Sequence, residues 1–202
     1  MNTLLLGALA VATPYVSLSS LWLPIVIAAV LVWIVSALFW TVSPHHKKDF
    51  AQLPNESRAM AALREAGVQP GHYSFPFAGD QATMKDPEFQ KKLDAGPVGM
   101  LTVATADMFR NMGKPMILSI VYYLVISFLV AYVASRTLPP GSEYLHVFRV
   151  VGTIAFLAYG AGIIPDTIWF GRGWTRAWKH VFDAFVYGML TAGAFGWRWP
   201  GM

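Results

Sequence analysis

Two carboxylates and a few histidines are the side chains of this sequence best equipped for chemistry. Asp166 and Asp183 stand inside long apolar stretches, and an ionisable residue in a membrane span is a functional hypothesis by default. Each lies four or five residues from the same end of its stretch, which puts both roughly 6–8 Å deep at 1.5 Å per residue. Lys179 and His180 come one turn before Asp183, while His45, His46 and Asp49 leave another apolar stretch at the same face. Imidazoles and carboxylates at one depth would bind a divalent cation, relay protons or seat a polar headgroup. An ion or proton path would use Asp166 and Asp183, and a metal would take His45, His46, His180 and Asp183. The simpler reading is a layer of side chains reaching for water. In it Lys179 neutralises Asp183, Arg172 or Arg176 neutralises Asp166, and the histidines sit wet at the interface. The simpler reading is preferred, because neither HExxH nor a repeated Glu-x-x-His occurs.

Other chemistry finds little to stand on. The chain has no cysteine, which excludes disulfides, thiolate metal sites and thiol catalysis. No phosphate-binding glycine loop or nucleophile elbow is present. His146 and His180 both fall near helix ends, so no mid-span histidine offers itself to haem or chlorophyll. Arg149 lies about one turn into an apolar stretch. Reaching to lipid phosphate or pairing with Glu143 explains it, with a site for an anionic lipid or quinone-like ligand as the alternative.

The elements that must position these residues are membrane helices. Of 202 residues, 55% are apolar and 13% charged, about half the charged share of a soluble domain. The apolar residues fall in blocks of roughly twenty, enough to cross about 30 Å of hydrocarbon. The spans are expected at 21–42, 116–134, 145–170 and 178–197. Trp22 and Trp40 bracket the first and Trp178 and Trp197 the last, as interfacial tryptophans do. Residues 1–20 are an apolar extension without Lys or Arg. An interfacial segment is expected there, with a cleaved signal as the alternative. Residues 43–115 form the long polar segment. Within it Leu53–Ala66 reads as a helix capped by Asn55 and ended by Gly67, and Asp86-Pro87 starts another that runs to Gly96. Residues 72–77 and 99–105 look extended and would pair as a ribbon, or the second would be an interfacial helix.

Cations set the expected orientation. Lys47, Lys48, Arg110, Lys114, Arg172, Arg176 and Lys179 all flank spans on one side, against Arg136, Arg149 and Arg198 on the other. The positive-inside rule then makes residues 43–115 cytoplasmic and both termini periplasmic. The net charge of +4 fits anionic lipid, and no basic patch with interleaved aromatics suggests nucleic acid. Small residues recur where helices would touch. They are Ala184, Gly188, Ala192 and Gly196 in span four, Ser127, Ala131 and Ser135 in span two, and Gly152, Ala155, Ala158 and Ala161 in span three. These rows close the chain's own bundle, or span four's is left for a partner.

The segments SSLWLPI, SPHHKKDFAQLP, VFRVVGTIAFLAYG and IWFGRGW…DAFVYGMLTAGAFGWRWP resemble those of uncharacterised bacterial four-span membrane proteins. The aromatic-Gly turn before the last span is distantly similar to the DUF1761 type. The resemblance implies a four-helix protein of a bacterial inner membrane and supplies no activity or catalytic residue.

The expectation is therefore an all-α integral membrane protein with four transmembrane helices and a mostly helical cytoplasmic insert between spans one and two. Its expected role is non-catalytic, as an accessory or scaffold subunit of a larger inner-membrane complex, for which an energy-converting assembly is one host that nothing in the residues selects. Its partners would be membrane lipids and other transmembrane proteins, or a second copy through span four. A bound lipid is expected and a cofactor is not. A small transporter or channel component using Asp166 and Asp183, and a metal-dependent membrane enzyme, are the alternatives.

Overall fold

The computed structural model of the chain describes residues 15–201. The expected extension at residues 1–20 therefore lies outside the described residues as far as position 14. Its end, Leu18–Leu21, is a 3-10 turn that runs straight into helix α1, Trp22–Thr41. Pro24 falls in the first turn of α1, where its missing N–H has no intrahelical partner to lose. After α1 come α2 (Glu56–Glu65), β1 (Gly71–Phe75), α3 (Gln81–Lys85), α4 (Pro87–Ala95), β2 (Gly99–Val103) and α5 (Ala106–Arg110). Four further helices follow: α6 (Gly113–Thr137), α7 (Tyr144–Gly160), α8 (Ile163–Phe170) and α9 (Trp174–Trp197). The chain divides into two compact units, Asp49–Met116 and the residues on either side of it.

The protein is mostly helical, with three helices long and apolar enough to cross a membrane: Leu18–Thr41, Gly113–Thr137 and Tyr144–Phe170. The third includes a break. α7 ends at Gly160, Ala161 and Gly162 form a turn, and α8 resumes before Pro165. Proline removes an N–H and crowds the carbonyl four residues earlier, so the break sits where the ladder is weakest. α9 is not among the three. It carries Arg176, Lys179 and Asp183 together with many small residues, and is correspondingly less apolar. It is also rich in buried residues, Ala184, Tyr187, Gly188, Thr191, Ala192 and Phe195 among them.

Packing between α7 and α9 depends on missing side chains. A Cβ on Gly188 would lie 3.1 Å from the carbonyl oxygen of Gly152 and 3.2 Å from the amide of Phe156. On Gly160 it would lie 2.9 Å from Ala184 Cβ, and on Gly152 3.2 Å from Ala192 Cβ. The row Ala184–Gly188–Ala192–Gly196 is thus seated on α7 of the same chain, with the Tyr144 ring over Gly196. Ser127, Ala131 and Ser135 of α6 are likewise buried. In α7 only Gly152 and Ala155 of the spacing-three row face inward, while Ala158 and Ala161 are exposed. Steps of three residues drift around a 3.6-residue helix by about 60° each, so the row leaves the contact after one turn and Gly160 replaces it.

The two ends of the bundle are closed differently. At one, the turn after α6 is tied to the C-terminus: Gly141 N–H donates to Pro200 O at 2.8 Å and Trp199 Nε1–H to Pro139 O at 3.0 Å. Gly141 and Gly201 both have positive φ there, which suits glycine alone among the common residues. At the other end, Gly171 and Gly173, also at positive φ, turn α8 into α9. Between α1 and α6, Trp33 Nε1–H donates to Ser119 Oγ at 3.0 Å.

The Asp49–Met116 unit is a small ribbon with four short helices. β1 and β2 pair antiparallel, Tyr73 opposite Leu101. The sequence 99–105 is therefore strand as far as Val103, then α5. Asp86 caps α4 through the Glu88 amide at 2.9 Å with Pro87 in the first turn. Asp80 caps α3 through the Thr83 amide, a bond that favours its ionised form and holds its carboxyl below the ordinary value. Asn55 departs from expectation. It precedes α2, but in a left-handed conformation with no side-chain capping bond, because that backbone turns the side chain away from the first amides.

Gly188→Val should lower the melting temperature of the detergent-solubilised protein by several degrees, about 1–3 kcal/mol of overpacking. Gly193→Ala, whose new Cβ meets only the Tyr144 hydroxyl at 3.9 Å, should change it little. Equal effects in differential scanning fluorimetry would show that the α7–α9 approach is not the constraint.

Candidate functional site

The site begins with how α1 ends. Ser43 and Pro44 stop the helix, and Pro44–His46 is one turn of 3-10 helix with Ser43 Oγ accepting from the His45 amide at 3.1 Å. This short turn presents two consecutive imidazoles toward α9. His46 is held flat under Trp40, ring centroids 4.0 Å apart and planes 5° from parallel. His45 stands nearly perpendicular to it, 4.7 Å away at 74°, beside the rings of Phe39 and Phe182.

Both imidazoles converge on Asp183. His46 Nε2 and Asp183 Oδ2 are hydrogen-bonded at 2.8 Å, and His45 Nε2 lies 3.1 Å from the other oxygen, Oδ1. The side chains of His46 and Asp183 are 2% and 4% exposed, that of His45 27%. The second contact is not aligned as a hydrogen bond: Asp183 Oδ1 and His45 Nε2 are both buried, and neither has a hydrogen-bond partner among the described residues. His180, one turn before Asp183, places its ring 5.4 Å from His46 and 5.8 Å from Trp40.

The other sequence candidates go elsewhere. Asp166 pairs with Arg172 across the α8–α9 turn, Nε to Oδ2 at 3.1 Å, both partly exposed. The two acids expected to act together thus have separate partners. Arg149 is exposed, and among the described residues no ion pair joins it to Glu143. Trp22, Trp178 and Trp197 are well exposed, whereas the face of Trp40 is given over to His46.

Sequence reasoning missed the roles of Trp40, Phe39 and Phe182 as walls. It also missed a cluster of phenols on the bundle side of Asp183. Tyr187 lies one turn beyond that acid and meets Tyr159 at 5.7 Å and Tyr123 at 6.2 Å between ring centroids. Spacing could have hinted at Tyr187, four residues from Asp183 on one face. Nothing local marks Tyr123 and Tyr159, which come from other helices.

A carboxylate buried to this extent costs several kcal/mol unless it is paired and hydrogen-bonded. His46→Ala should therefore destabilise by about 2 kcal/mol or more, and His45→Ala by less. In a double-mutant cycle, His46→Ala should cost far less in an Asp183→Ala background. Strict additivity in thermal melts would mean the pair is not coupled. No protein-family model matches the chain, and no curated protein or solved structure matches it either.

Proposed function

We propose that this chain is a four-span, non-catalytic accessory or scaffold subunit of a larger membrane assembly, with residues 43–115 on the cytoplasmic side as its docking arm. One observation carries the reading: no residue between Asp49 and Met116, all of them described, is buried. A soluble unit of this length that folded on its own would form a hydrophobic core of its own. Here Phe77 and Phe109 are each 74% exposed, and Met100, Met108 and Met112 more than half. Phenylalanine and methionine left open in such number suit a protein partner, methionine because its flexible thioether adapts to irregular surfaces.

Charge favours protein over lipid as that partner. Residues 49–116 hold eight acidic and seven basic side chains, too balanced to be drawn onto an anionic leaflet. The expected fourth span is supported by the length of α9, 24 residues, and by its burial among the apolar helices. A path through Asp166 and Asp183 has less support, since Arg172 holds one and the two histidines the other.

Extraction from native membranes in mild detergent should yield a stoichiometric companion protein. A photoreactive residue at Phe77 or Phe109 should crosslink to that companion. Phe77→Ser with Phe109→Ser should reduce its recovery about tenfold while the thermal melt of the helical unit stays put. A monodisperse chain without a companion, or crosslinks to lipid alone, would overturn the proposal.

A further inference from the structure

The His45–His46–Asp183 cluster does more than neutralise a buried acid. Two imidazole nitrogens and the carboxylate oxygens converge from two separate helices, and one ligand atom from each residue lies within 4.8 Å of the others. Both imidazoles present Nε2 to Asp183, one to each carboxylate oxygen, with nearly perpendicular rings, and a metal would displace the proton shared by His46 and Oδ2.

A hydrogen-bonded His–Asp–His trio is the competing explanation, and it accounts for half of the geometry. It explains His46 with Oδ2. It leaves Asp183 Oδ1 and His45 Nε2, 3.1 Å apart, without a hydrogen bond between them or to anything else among the described residues. Were His45 Nε2 to carry a proton, aligning it with Oδ1 would satisfy two buried groups at once. Were it bare, two lone pairs would face each other in a site nearly closed to water, at a cost neither group could recover. A cation ligated by a bare His45 Nε2 and by Oδ1 removes that cost, because it takes one lone pair from each. Ligand atoms around a first-row divalent ion at about 2.0–2.2 Å stand ~3.3 Å apart at tetrahedral angles, close to the separations seen here.

We infer that His45, His46 and Asp183 bind a divalent first-row transition-metal ion. Two nitrogens and one oxygen form a borderline donor set suited to Zn²⁺, Fe²⁺ or Co²⁺. The all-oxygen preference of Ca²⁺ and Mg²⁺ and the thiolate preference of Cu⁺ both argue against those ions. The surroundings supply what a metal site needs beyond its ligands. Trp40 fixes the plane of the His46 ring, the Ser43 hydroxyl fixes the turn that carries both histidines, and Phe39 and Phe182 shield His45. The C-terminal end of α1, with its partial negative charge, lies immediately before the two ligands and favours a cation there. Three protein ligands leave at least one position for water or a further donor.

The test uses the full chain, purified in detergent without a histidine tag, emptied with chelator and titrated with Zn²⁺ or Co²⁺. The wild type should retain about one equivalent of Zn²⁺ by mass spectrometry after desalting. With Co²⁺ it should develop visible d–d bands that Zn²⁺ abolishes. Asp183→Asn and His45→Gln should each weaken binding at least tenfold. His45 is the ligand open to solvent, so His45→Gln should keep the wild-type elution profile even if the buried Asp183→Asn aggregates. Wild-type protein holding less than about a fifth of an equivalent would overturn the inference. So would Co²⁺ bands absent from the wild type, or undiminished in His45→Gln.

Discussion

The arrangement depends on how closely α7 can approach α9. Lipid tails are as apolar as leucine, so exclusion from water does not drive helices together in a bilayer, and contact area does. Gly188 against Gly152, and Gly160 against Ala184, bring backbone to backbone with no room for a Cβ. That contact occupies one face of α9. Its other face is then the one that meets α1, through Phe182 and Tyr187 stacked on Phe39. Asp183 lies between these two aromatic residues in sequence and is carried to the same side. The acid is not placed by its own interactions. It is placed by glycines on the opposite side of its helix.

Once there, Asp183 dictates what must surround it. A carboxylate removed from water needs hydrogen bonds and a positive neighbour. Two imidazoles come from the turn after α1, where Ser43-Pro44 stops the helix and aims them. The same Pro44 that ends the span therefore builds the site. A cation bound at this point would join the ends of two helices that otherwise touch through aromatic rings, and so lend the α1–α9 contact a dependence on metal that the α7–α9 contact lacks.

Much of this was legible in the sequence, for identifiable reasons. Length and apolarity mark Leu18–Thr41, Gly113–Thr137 and Tyr144–Phe170, because a bilayer admits few other solutions for backbone polar groups. Asp86-Pro87 read correctly as a helix start because capping is local chemistry. The extended segments found their partner as a ribbon. What failed was non-local or conformational. Asn55 has a capping residue's identity but a left-handed backbone. The histidines, placed at a wet interface by position alone, are drawn inward by an acid 137 residues away. The small residues of α7 looked like a row by spacing, yet drift off the contact within two turns.

The segment Asp49–Met116 and the helical unit pose opposite problems of burial. In the helices, exposed valines, leucines and phenylalanines such as Val125, Phe128 and Leu129 need no protein partner, because lipid covers them at no cost. In the segment the same exposure has no such excuse, since its capped short helices, charged faces and antiparallel ribbon are features of a chain that stays in water. A ribbon of two strands is marginal by itself, and helices of five to ten residues are too short to stand without packing. In the accessory role we propose, a partner's surface would complete them. That surface would be apolar where Phe77 and Phe109 meet it and close to neutral overall, properties of a protein face more than of a headgroup layer.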